Sequence, residues 1–149
     1  LLVMGSPWGP KRGAGPRESP QMQATRYPLS ECMTCGCCVE ACPQYGKIEL
    51  ERLPGESDVE FTQRENEAFE TGFVGAAAIS QAMLFNDNQT GAMKKGERLD
   101  ALMEPGGIQD CGNAQNCVAV CPKSIPLTRS IARAGRQTTV RMFTKWFDS

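Results

Sequence analysis

Eight cysteines carry the chemistry available to this 149-residue chain, and they fall into two runs. The first is Cys32-x2-Cys35-x2-Cys38-x3-Cys42-Pro43, with Cys37 as an extra thiol beside Cys38. Two intervening residues let one tight loop aim three thiolates at three corners of an iron–sulfur cube. Three intervening residues, once a helix has begun, turn the fourth thiolate towards a different site. The second run is Cys111-x5-Cys117-x3-Cys121-Pro122. Laid on the same template it reads Cys111-x2-Ala114-x2-Cys117-x3-Cys121-Pro122, an internal repeat of the first with one ligand replaced by Ala114. A cubane corner without a thiolate is easily lost, which leaves a three-iron cluster. In such paired runs the fourth cysteine serves the other cluster. The expectation is therefore that Cys32, Cys35, Cys38 and Cys121 bind [4Fe-4S], and that Cys42, Cys111 and Cys117 bind [3Fe-4S]. Cys37, left over, is expected to be a small packing residue, as free cysteines commonly are.

Other chemistries fit these residues less well. The chain has no His, which removes the Ser-His-Asp and Cys-His catalytic pairs and every His-containing zinc site. Two all-cysteine zinc sites would need paired C-x2-C units, and the second run has none. A secreted disulfide framework suits chains under ~100 residues, and no signal-peptide h-region follows Leu1-Leu2-Val3-Met4. With 16 Lys and Arg against 17 Asp and Glu, net charge gives no reason to expect nucleic acid as a partner. The longest apolar stretch, Phe73 to Ile79, has seven residues, far short of the ~20 a bilayer span needs.

The elements that must hold the cysteines are read from the spacing of apolar residues. Residues 1–20 contain four Gly and four Pro and are expected to be disordered or extended, with the domain boundary at about Tyr27. Residues 46–58 read as a polar loop with a turn at Pro54-Gly55. Glu60 to Asn86 reads as helix split at Gly72 and Gly75, stopped by Asn86-Asp87-Asn88. Lys94 to Glu104 reads as a helix with Leu99, Leu102 and Met103 on one face, ended by Pro105. A last helix begins near Pro126. Its apolar face carries Leu127, Ile131, Val140, Phe143 and Phe147, and its basic face, Arg129, Arg133, Arg136, Arg141 and Lys145, is expected to be solvated. No β pattern appears, so the fold class is all-α: residues 1–26 as a linker, residues 27–149 as a helical ferredoxin domain around two clusters. Leu, Ile, Val and Phe supply only 27 residues. A core this thin needs inorganic staples or partner surfaces.

The chain also resembles a known family. Cys32-Met33-Thr34-Cys35-Gly36-Cys37-Cys38, Gly72-Phe73-Val74-Gly75-Ala76-Ala77, Leu84-Phe85-Asn86 and Glu97-Arg98-Leu99-Asp100-Ala101-Leu102 carry the likeness. So do Asp110-Cys111-Gly112-Asn113, Asn116-Cys117, Cys121-Pro122-Lys123 and Ile125-Pro126-Leu127. They resemble the iron–sulfur subunit of bacterial succinate dehydrogenase and fumarate reductase, from about Tyr27 to the C-terminus. The resemblance implies a relay from an FAD-containing flavoprotein subunit through the clusters to quinone at a cytochrome b-type membrane anchor. It also implies a peripheral place on the cytoplasmic face of the bacterial inner membrane. The family's [2Fe-2S] cluster has no ligands here, since no cysteine precedes Cys32. The family's quinone contacts do not carry over either. The corresponding positions read Gln44-Tyr45-Gly46-Lys47 and Gly112, with Tyr45 the weak candidate. Alternatives are fumarate reduction by the same relay and a heterodisulfide-reductase or glycolate-oxidase type carrier. The latter usually has two full cysteine runs, against which Ala114 argues.

Overall fold

Ser19 accepts a hydrogen bond from the Met22 amide and Pro20 sits in the first turn, so the chain enters its first helix with both start signals in place. The structure, a computed structural model, describes residues 17–46 and 50–148. The α-helices in order are α1 Pro20–Ser30, α2 Cys37–Glu40, α3 Asp58–Thr71, α4 Gly75–Asp87, α5 Lys95–Ala101, α6 Asn116–Ala119 and α7 Leu127–Asp148, with 3-10 turns at Gly91–Lys94 and Ile108–Asp110. No strand occurs among the described residues, as the all-α reading expects.

The linker expected over residues 1–26 is helical from Pro20 onward; residues 1–16 lie outside the described residues. The physical reason is burial. Arg26 and Leu29 of α1 are buried, Arg26 donates to the Asp87 carbonyl at 3.2 Å, and Gln81 reaches the Leu29 carbonyl at 3.2 Å. These contacts dock α1 on α4.

Helix α4 is the centre of the molecule. Its Ile79 and Met83 are fully buried, and it packs along α7, where Ser80 and Ser130 share a buried hydroxyl contact. The split at Gly72 and Gly75 is present, and the joint is pinned by Val74 N–H donating to the Gly106 carbonyl at 2.8 Å. Gly106 has φ +81°, and a Cβ there would stand 2.3 Å from the Gly72 carbonyl oxygen, so only glycine fits. Helix α3 is closed by a capping box between Ser57 and Glu60 but buries none of its residues. Phe61 lies beneath the guanidinium groups of Arg52 and Arg64 instead.

Two elements differ from expectation. The helix expected over Lys94–Glu104 is shorter, because Leu102 closes it and the chain turns so that Ile108 N–H donates back to the Leu102 carbonyl at 2.9 Å; Leu99 and Leu102 are buried as expected. In α7, the buried face is Leu127, Ser130, Ala134 and Thr138, whereas Val140, Phe143, Trp146 and Phe147 are exposed. The basic face is not simply solvated either. Arg133 forms a two-pronged pair with Asp87 at 2.7 and 2.8 Å, and Arg141 grips Asp100 at 3.0 and 3.1 Å. Small residues win the inner face because they let α7 approach α4 closely, and Thr138 satisfies its buried hydroxyl on the Ala134 carbonyl at 3.1 Å. The Arg141 guanidinium, with Lys145 beside it, holds the Asp100 carboxyl below the usual carboxylate range.

The Asp87 carboxylate is 7% exposed and ties α4 to α7 through Arg133. Asp87→Ala leaves that cation without its partner, and breaking such a pair costs about 3 kcal/mol. The expected outcome is a lowered urea midpoint in the cluster-loaded protein with the slope unchanged.

Candidate metal centre

The two cysteine runs fold alike. In each, a residue two places after the first cysteine is left-handed, Thr34 at φ 52° and Asn113 at φ 53°. A second follows at Gly36, φ 79°, and Gln115, φ 62°. Each then enters a four-residue helix, α2 or α6. Ala114 takes the place of Cys35, and Asn116 that of Cys37. The repeats lie against each other: Asn116 Nδ2 donates to the Ala41 carbonyl at 3.0 Å.

Cys42, Cys111 and Cys117 line one pocket together with Ala114, Phe73 and Ile131. Cys42 comes from the first run and the other two from the second. Cys117 is buried, and burial pushes its thiol up, against the pull of the Val118 amide; Cys42 and Cys111 add to the rise. Burial also pushes the Cys38 thiol up, the Ala77 backbone opposes that shift, and Cys32 and Cys117 add to the rise. Cys35 is exposed, and its thiol is lowered first by the Cys37 amide and then by the Cys37 thiol.

Cys37 is not the packing residue expected: it is exposed. It opens α2 directly after the left-handed Gly36, which turns its side chain to Cys35, and that thiol raises its own. Cys121 is near enough to Cys37 to raise its thiol slightly. All eight cysteines are unpaired by disulfides. No group of three or more Cys, Asp or Glu side chains closes on a single ion among the described residues. Cys42, Cys111 and Cys117 share one pocket instead, and an all-sulfur donor set is the chemistry of iron–sulfur clusters.

Gln44 lies across Gly112: a Cβ at Gly112 would stand 2.6 Å from Gln44 Nε2. Tyr45 is part-exposed and stands beside Gly75; Lys47 lies outside the described residues. The left-handed Thr34, Asn113 and Gln115 are the local determinants that sequence reasoning missed. Their shared offset in the two runs was the available signal.

Residues 28–125 match the model of the 4Fe-4S dicluster domain. The chain is 45% identical over 137 residues to the succinate dehydrogenase iron-sulfur subunit of Bacillus subtilis, covering 92% of this chain and 46% of that protein. It is 29% identical over 108 residues to the fumarate reductase iron-sulfur subunit of Escherichia coli O6:H1, covering 72% and 35%. With the succinate dehydrogenase iron-sulfur subunit of Coxiella burnetii the identity is 26% over 116 residues, covering 78% and 40%. The chain thus spans about half the length, or less, of the curated relatives it matches.

Proposed function

This chain belongs to the 4Fe-4S dicluster domain family, and on that footing we propose that it is an electron-transfer iron–sulfur subunit of succinate:quinone oxidoreductase. Cys32, Cys35, Cys38 and Cys121 would hold a [4Fe-4S] cluster, and Cys42, Cys111 and Cys117 a [3Fe-4S] cluster. The observation that carries the reading is the cavity shared by Cys42, Cys111, Cys117 and Ala114. It joins cysteines from both runs and has an alanine where a fourth thiolate would be. When bound, such clusters supply one-electron carriage. The chain's own residues do the rest: thiolates fix the clusters, Phe73 and Ile131 line the second site with apolar surface, and α4 spans both sites.

Residues 27–149 form the cluster domain in this reading, with α1 leading into it. The partners are an FAD-containing flavoprotein subunit and a membrane anchor that delivers electrons to quinone, with this chain peripheral on the cytoplasmic face of the membrane. No single helix among the described residues is long and apolar enough to cross a membrane. The exposed Val140, Phe143, Trp146 and Phe147 of α7 suit a subunit interface, because contiguous apolar surface of this kind marks docking sites. The 45% identity to a succinate dehydrogenase subunit, against 29% to a fumarate reductase subunit, favours succinate oxidation over the reverse reaction.

The test is EPR and metal analysis of the anaerobically reconstituted chain. A three-iron signal in the oxidised protein and a four-iron signal on dithionite reduction are expected. Two four-iron clusters would overturn the ligand scheme, and zinc without iron or sulfide would overturn the function.

A further inference from the structure

One carboxylate links two sides of the pocket that holds Cys42, Cys111 and Cys117. Phe73 and Ala76 give that pocket apolar lining. Val74, the residue after Phe73, donates its N–H to the Gly106 carbonyl at 2.8 Å. The Gly106 N–H in turn donates to Asp110 Oδ2 at 2.7 Å, the short length of a charge-assisted bond. Asp110 directly precedes Cys111, whose side chain lines the same pocket. The apolar wall and one thiol therefore hang on the two polar groups of a single residue, Gly106. The link has little slack. Gly106 and Gly107 are buried, and a Cβ on them would stand 2.3 Å from the Gly72 carbonyl oxygen and 2.2 Å from that of Leu102. The turn then closes with Asp110 N–H donating to the Gly107 carbonyl at 3.3 Å and Cys111 N–H to that of Ile108 at 3.2 Å. A buried N–H needs an acceptor, and Asp110 supplies it from the exposed side of the turn.

We propose that Asp110 is a positioning residue for the cluster held by Cys42, Cys111 and Cys117, fixing Cys111 against the Phe73 wall through Gly106. The inference rests on the proposed function. A group that orients a ligand without binding the metal typically matters about 10–100-fold in metal affinity. The effect is confined to one site. Cys111 follows Asp110 in the chain, whereas Cys32, Cys35, Cys38 and Cys121 all lie outside the turn that Asp110 closes. A site with three thiolates also has no fourth to compensate when one is misplaced. What the turn requires of Asp110 is an oxygen acceptor, so a neutral amide oxygen at the same place can serve.

Asp110→Ala removes the acceptor, and Asp110→Asn keeps one. Asp87→Ala, at the opposite end of α4 from Ala76, controls for a general loss of stability. Each full chain is reconstituted anaerobically with limiting iron and sulfide. EPR then integrates the oxidised three-iron signal and the dithionite-reduced four-iron signal, and iron per chain is counted. In Asp110→Ala the ratio of three-iron to four-iron centres is expected to fall about tenfold. Asp110→Asn should restore it to within about twofold of the wild-type ratio, and Asp87→Ala should leave the ratio unchanged. An unchanged ratio in loaded Asp110→Ala, or an Asp110→Asn chain as deficient as Asp110→Ala, would overturn the proposal. If Asp110→Ala loads neither cluster, replacing Gly106 with glycolic acid decides by the same ratio, because the ester deletes the N–H that Asp110 receives. A wild-type chain without iron–sulfur signals would fail the proposed function itself, a result distinct from any of these.

Discussion

Ala114→Cys is expected to convert the proposed three-iron centre into a second [4Fe-4S] cluster. The oxidised three-iron EPR signal should disappear from most molecules, and iron content should rise by about one atom per chain. Ala114 lines the same cavity as Cys42, Cys111 and Cys117, and it follows the left-handed Asn113 just as Cys35 follows Thr34. The backbone that would deliver a fourth thiolate is therefore already in place, and only the sulfur is missing. The potential of the converted centre should also move, because cluster type and net charge set it. Persistence of the full three-iron signal in a folded, iron-loaded variant would sink the assignment of this corner.

Removing the clusters should cost more stability than any single side chain. Among the described residues, the large apolar ones that are buried amount to Leu29, Phe73, Ile79, Met83, Leu99, Leu102, Ile125 and Leu127, and the thiols of both runs pack against this core. A chain that binds its clusters only when folded gains their binding energy as folding energy. The cluster-free protein is expected to unfold at least ~10 °C lower and less cooperatively in a thermal CD scan. Cys117→Ser separates packing from ligation, since it hardly changes volume at a buried position yet removes a thiolate. Loss of the three-iron signal with a similar fall in Tm is expected, whereas Cys37→Ser at its exposed site should shift stability by less than about 0.5 kcal/mol and retain both clusters. Equal behaviour of the two serine variants would refute the division of the cysteines into ligands and a spare.

The cysteine pattern was readable because ligand spacing is a local property, and the same holds for the helix stops at Gly72 and Asn88. Long-range choices were less so. Val140, Phe143 and Phe147 repeat with the period of a buried face, but periodicity does not say which surface covers it. In this chain α4 takes the side of Ser130, Ala134 and Thr138. Arg133 and Arg141 look like solvated charge until Asp87 and Asp100, more than forty residues upstream, are brought beside them. Cys37 reads as a packing residue by composition, and only the left-handed Gly36 reveals that it turns outward. Thr34 and Gln115 are neither glycine nor asparagine, so nothing in their chemistry announces a positive φ, whereas Asn113 is of a type that does visit it.

The contact between the two runs, with Asn116 bonded to Ala41 and Cys42 facing Cys117, has a consequence in time. If each run completes the other's site, neither can close while the chain is still being made. Cys121 emerges about 80 residues after Cys42, a wait of about 4 to 16 s at ~5–20 residues per second. For that interval the first run presents five thiols with no partner to finish the cage. Iron delivered before Cys121 appears would meet an open site, so assembly of both centres belongs after synthesis of the whole domain.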